Sequence, residues 1–78
     1  PNPFNPVTTI LYTLTNMSWL DLSVYNIRGQ KVINLYKGAQ LHGTHEINWD
    51  ASAYASGVYF ITLTTENTKL TQKVLLLK

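Results

Sequence analysis

A chain of 78 residues allows one domain, and at that length only about 60–65 % of the unfolded surface is buried on folding, which leaves little room for a deep catalytic cleft. A net charge of +2, with Arg28 and five lysines scattered along the chain, does not make the basic stripe of a nucleic-acid site, and the charged fraction of 13 % is low for a soluble domain. No cysteine is present to form a disulfide or complete a zinc site, and no apolar run approaches the ~18 residues of a membrane span.

All three prolines fall within Pro1-Asn2-Pro3-Phe4-Asn5-Pro6. Each fixes φ near about −65° and removes a backbone donor, so residues 1–7 read as an extended lead-in, unable to start a helix. The first residue is proline and Met17 is the sole methionine, the pattern expected of a part excised or processed from a longer protein.

From Thr8 the pattern has period two: Ile10, Tyr12 and Leu14 point one way, Thr9, Leu11 and Thr13 the other, as in a strand with one buried face. Asn16, Met17 and Ser18 break it. A second strand is predicted over Trp19–Ile27, with Leu20, Leu22 and Val24 inward and a bulge or two-sided cover at Tyr25. Gly29 accepts positive φ, so Arg28-Gly29-Gln30 is predicted to turn tightly into a third strand over Lys31–Tyr36, with Val32 and Leu35 in the core. Lys37–Gly43 reads as a loop.

Thr44–Trp49 alternates again, with His45, Ile47 and Trp49 on one face, and Asp50-Ala51-Ser52 opens a connection that Gly57 closes. Asp50 is expected to cap that turn through its carboxylate. Val58–Thr65 is the richest β segment, Glu66-Asn67 turns, and Thr68–Leu77 is the last strand. A short seventh strand has room in Ala51–Ala55. Six or seven such strands without a helix predict an all-β antiparallel sandwich over residues 8–78, its interior filled by Leu, Ile and Val with Tyr12, Trp19, Tyr25, Trp49, Tyr59 and Phe60.

Few groups here could carry chemistry. His42 and His45 are three apart, so on a strand they face opposite ways, and with Glu46 they do not converge on a metal; His45 is expected beside Trp49 with one ring nitrogen satisfied. Asp21, Glu46, Asp50 and Glu66 lie in four separate segments, and the serines lack a nucleophile-elbow context. No catalytic, cofactor or metal residue is expected. Exposed aromatics, for which Trp19 and Tyr36 have suitable strand-end positions, are the one feature that suits a sugar platform.

Five segments, taken together and in order, carry a resemblance: Pro1-Asn2-Pro3-Phe4-Asn5-Pro6, Val24-Tyr25-Asn26-Ile27-Arg28-Gly29-Gln30-Lys31-Val32, Gly43-Thr44-His45-Glu46-Ile47-Asn48-Trp49-Asp50, Ala55-Ser56-Gly57-Val58-Tyr59-Phe60 and Lys73-Val74-Leu75-Leu76-Leu77-Lys78. They closely resemble the type A C-terminal sorting domain of the type IX secretion system over essentially the whole chain. Family members often have a Pro or Gly-rich turn where this chain has Thr15-Asn16-Met17-Ser18.

The resemblance implies an immunoglobulin-like β-sandwich that follows a secreted cargo. On that resemblance the cargo reaches the periplasm by a separate signal, the outer-membrane translocon recognises the folded domain, and a surface sortase removes it and joins the cargo to lipopolysaccharide, or else the domain stays on and holds the cargo at the surface. It implies a secreted or cell-surface protein and a single sorting domain over residues 1–78.

On this chain the translocon-recognition candidates are Lys73, Val74, Leu75, Leu76, Leu77 and Lys78, where a strand edge is offered for strand addition. Pro1, Asn2, Pro3 and Phe4 are the linker and cleavage region, extended and open to a processing enzyme. Gly29, Trp49, Asp50, Gly57 and Tyr59 match family motifs and are explained by turn geometry and packing. A monomer with weak edge-strand pairing is expected. Two further readings share the scaffold: a carbohydrate-binding or adhesive accessory module, and an immunoglobulin-like domain resembling that of hook-capping proteins, in which the segment is internal.

Overall fold

The computed structural model describes residues 7–78. Six strands follow one another: β1 (Val7–Leu14), β2 (Ser18–Asn26), β3 (Lys31–Gln40), β4 (Gly43–Asp50), β5 (Gly57–Thr64) and β6 (Lys69–Leu76). They form an antiparallel sandwich of unequal sheets, β1-β4 over β3-β2-β5-β6. In β1, Ile10 and Leu14 are buried, Tyr12 is half-buried, and the intervening positions are open or nearly so.

The β2–β3 hairpin is built by Asn26 and Gly29. The Asn26 carbonyl accepts from Gly29 N (3.0 Å), and Asn26 Oδ1 accepts from the amides of Arg28 (2.9 Å) and Gln30 (3.0 Å). Gly29 has φ +79°, a conformation in which a Cβ crowds the following carbonyl oxygen. No neighbour occupies the space a Cβ would fill, so the whole penalty of Gly29→Ala is backbone strain. It is expected to cost about 1–2 kcal/mol, read as a lower urea midpoint with an unchanged slope.

β3 differs from the expected loop at Lys37–Gly43: it continues to Gln40, pairing Gly38 with Leu20, Ala39 with Trp19 and Gln40 with Ser18. The backbone groups of β2 need partners along their whole length, and this ladder outweighs the weak local propensity of Gly38. Two register shifts, opposite Leu22/Ser23 and Val24/Tyr25, insert Leu35 and Val32 as extra residues in β3. The bulge expected near Tyr25 is thus present, with the additional residue on the partner strand. Its effect is to bring Val32, Ile33, Leu35 and Tyr36 all against the core.

That core is centred on Leu20, Leu22, Val24 and Trp49, with Ala51, Tyr59, Ile61 and Leu76 around them. Trp49 meets Tyr59 edge-on at 5.4 Å between centroids and Tyr54 at 5.5 Å, an aromatic cluster under the β4–β5 connection. Three aromatics expected inside are elsewhere. Trp19 and Tyr25 share the outward face of β2 opposite to Leu20, Leu22 and Val24, and Phe60 pairs with Tyr25 on that same outer side. Ala51–Ala55 is a turn closed by Tyr54 N donating to the Ala51 carbonyl (3.0 Å), in place of a seventh strand. His45 stacks on Tyr12 at 5.5 Å, its cross-strand partner, rather than on Trp49, and its Nε2 meets the Leu41 carbonyl oxygen at 2.7 Å.

Candidate recognition edge at the last strand

β6 lies at the rim of the four-stranded sheet. It pairs along one side with β5, from Lys69↔Thr64 to Leu76↔Gly57, and among the described residues its other side has no strand neighbour. Alternation splits the strand. Leu70, Gln72, Val74 and Leu76 face inward, and Lys69, Thr71, Lys73 and Leu75 face out, aligned with Thr64, Thr62, Phe60 and Val58.

Only the end of β6 is anchored. Leu76 is buried and Val74 half-buried, whereas Leu70 is 60 % exposed and Leu75 63 % exposed. The cause is the mismatch between sheets: two strands cannot cover the inner face of four. A groove of about 270 Å³ opens where the cover stops, lined by Ile10, Leu11 and Tyr12 of β1, Leu63 of β5, and Leu70 and Gln72 of β6. A strand laid along β6 would close this groove and place every second side chain in it.

Of the six candidates at this end, Val74 and Leu76 hold the strand to the core, and Lys73, Leu75 and Leu77 are exposed. Lys78 is engaged with the β4–β5 connection. Its amide donates to Ser56 Oγ (3.1 Å), and its Nζ donates to the Ser52 carbonyl oxygen (2.5 Å). Past Leu76, which pairs with Gly57, the chain thus continues alongside the β4–β5 connection, and Ser52 and Ser56 join the site as fasteners. Their sequence context carries no signal for this role, because the contact is made across more than twenty residues. Leu11 and Leu70 were equally unmarked, although both are leucines at positions where polar residues would suit an exposed strand.

The motif residues hold the surroundings in place. Gly57 begins β5 with φ +152°, Tyr59 donates its hydroxyl to the Ala55 carbonyl (2.6 Å), and Asp50 Oδ1 accepts from the Ser52 amide (3.0 Å), the cap expected of it. Those Ser52 bonds, from the amide first and the hydroxyl second, hold the Asp50 carboxyl below the ordinary aspartate value, and Lys78 adds a smaller pull in the same direction. A carboxyl depressed in the folded state contributes stability above its ordinary pKa of about 3.9 and loses it as pH falls through the lower folded value. We expect an NMR titration to give Asp50 a midpoint below that of the unfolded chain, with the Ser52 amide losing its hydrogen-bonded shift over the same window. A midpoint at or above the ordinary value would contradict the cap.

The two rings suited to a sugar platform do not share a face. Trp19 is on the outer side of the four-stranded sheet, whereas Tyr36 pairs with Leu22, packs against the core and donates its hydroxyl to the Ala39 carbonyl (2.6 Å). The linker candidates Pro1, Asn2, Pro3 and Phe4 lie outside the described residues.

Residues 1–77 match the family model described as the secretion system C-terminal sorting domain. No curated protein and no solved structure matches the chain.

Proposed function

Because the chain belongs to the family of secretion-system C-terminal sorting domains, in which the domain is a type IX sorting signal of a secreted or cell-surface protein and not an enzyme, we propose that it directs a cargo preceding Pro1 across the outer membrane to the cell surface, read by the translocon at the free edge of β6. The observation that carries this reading is the strand itself. β6 has a backbone edge without a strand neighbour among the described residues, an adjoining apolar groove, and exposed Lys73, Leu75 and Leu77 on either side of the anchored Leu76. An extended receptor segment gains ladder hydrogen bonds from that edge and side-chain pockets from the groove.

The sandwich acts as one domain behind the proline-rich lead-in, and its first strand starts at Val7, one residue earlier than a lead-in of residues 1–7 allows. The Pro1–Phe4 region is where a surface sortase separates or joins the cargo, because its prolines supply no backbone donor to a ladder, a composition that suits a processing site. The domain works as a monomer, and pairing between β6 edges is weak because Lys69 and Lys73 repel their counterparts.

A fluorescent reporter fused ahead of Pro1 and delivered to the periplasm of a bacterium with a type IX system tests the reading. The intact fusion is expected at the surface or in the medium. Lys73→Glu with Leu75→Glu alters only exposed side chains and is expected to cut export at least tenfold, the loss of about 1.4 kcal/mol of recognition or more, with thermal unfolding unchanged. Undiminished export of the folded variant would refute recognition at this edge, and retention of the intact fusion would refute the sorting function.

A further inference from the structure

Among the described residues no element covers the outward side of the four-stranded sheet, and the pairing registers bring its side chains into rows. One row reads Lys31-Tyr25-Phe60-Lys73 and another Lys37-Asp21-Thr64-Lys69. The lysines ending each row are three interstrand spacings apart, about 14 Å, and Lys69 and Lys73 are separated by about 13 Å along β6. Four of the chain's six cationic side chains thus mark the corners of one face, with Asp21 as the sole carboxylate in these rows. On the opposite side of the sandwich, β4 carries exposed Glu46 and Asp50. The small net charge of the chain conceals an uneven distribution: the four lysines and Asp21 leave these rows at +3, whereas on the far side Asp50 stands near Lys78.

The same face has exposed apolar side chains at both ends. Trp19 is 51 % exposed beneath Lys37, whose Nζ lies 6.0 Å from the ring centroid. At the other end are Leu75, which pairs with Val58, and Ile27, 72 % exposed, which with Tyr25 and Phe60 lines a shallow basin of about 350 Å³.

We propose that this face is a docking surface for an anionic lipid bilayer. A bilayer surface is flat, as the sheet is, and supplies negative charge across the whole area that the four lysines span. Beneath its headgroups it offers an apolar layer for Trp19, Ile27 and Leu75, with the indole at the interfacial depth that tryptophan favours. A soluble polyanion would neutralise the lysines and leave those aliphatic side chains in water. The lipid surface accounts for both features, and for the placement of Glu46 and Asp50 on the far side.

This inference shares Lys73 and Leu75 with the β6 reading and is told apart from it by Lys31 and Lys37, which are on β3, the opposite rim of the sheet. The full chain is mixed with phosphatidylcholine vesicles, with or without about one-third phosphatidylglycerol, and bound protein is measured by co-sedimentation and by tryptophan emission. Binding is expected only to the anionic vesicles, with weakening at raised salt and a blue shift that Trp19→Phe abolishes, Trp49 being buried already. Lys31→Gln with Lys37→Gln is expected to weaken binding about 25-fold, about fivefold per lysine near an anionic surface, and Glu46→Gln is expected to leave it unchanged. Unfolding midpoints confirm that each variant is folded. Absence of binding, equal binding to neutral vesicles, or unaltered binding by the folded double variant would overturn the proposal. Binding to soluble polygalacturonate but not to vesicles would overturn it in favour of a glycan.

Discussion

Trp49→Ala is expected to cost about 3–5 kcal/mol, the largest loss available from one side chain here, against a total stability of about 4–12 kcal/mol for a chain of this length. Trp49 is 1 % exposed and touches both Tyr59 and Tyr54, so its removal opens a cavity between β4, β5 and their connection. A two-layer domain this small has no second core to compensate. The measurement is a thermal transition lowered by more than about 12 °C, with loss of near-ultraviolet dichroism. Trp49→Phe separates packing from hydrogen bonding. The indole Nε1 is buried and has no hydrogen-bond partner among the described residues, so phenylalanine removes an unpaired donor while keeping most of the aromatic contact. It is expected to cost less than about 2 kcal/mol. Equal effects of the two substitutions would show that ring volume is not what holds this region.

Removing residues 73–78 is expected to unfold the domain, and any export defect that follows would report on folding before recognition. The cut deletes the cross-strand partners of Gly57, Val58, Tyr59 and Phe60, leaving half of β5 as a new edge. It also deletes Leu76, whose burial alone is worth about 2–5 kcal/mol by comparison with leucine truncations, together with Val74 and the Lys78 contacts to Ser52 and Ser56. Denaturant titration of the truncated chain should therefore show no cooperative transition or one at a much lower midpoint. A truncated chain as stable as the full one would mean that this end is not structural. For this reason, the surface substitutions at Lys73 and Leu75, which leave Leu76 and the ladder intact, are the ones able to distinguish a receptor contact from a folding requirement.

The fold was legible because alternation is a local property. Ile10, Leu14, Leu20, Leu22, Val24, Ile61 and Leu63 are buried where period two places them. The tight turn at Gly29 and the Asp50 cap were legible for the same reason: each is made within four residues. The candidate edge was legible only as a stretch of chain. That β6 is a rim strand, that a groove adjoins it, and that Lys78 reaches Ser52 and Ser56 depend on which strands become neighbours.

The sequence by itself determined the strand class, six strands nearly in place, the inward aliphatic side chains of β1, β2 and β5, and, through five ordered motifs, the family. The tertiary structure decided the rest. It extended β3 to Gln40 because β2 offered a ladder along its whole length, and it used two bulges to bring Val32, Ile33, Leu35 and Tyr36 to one core. It also set two strands over four, and this mismatch opened the groove beside β6. The lysine rows arise in the same way, because Lys31 and Lys73, or Lys37 and Lys69, are distant in the chain and become ends of one row only when β3-β2-β5-β6 is the order of the sheet. Side-chain periodicity is written residue by residue, whereas strand order is a balance of loop closure and packing over the whole chain.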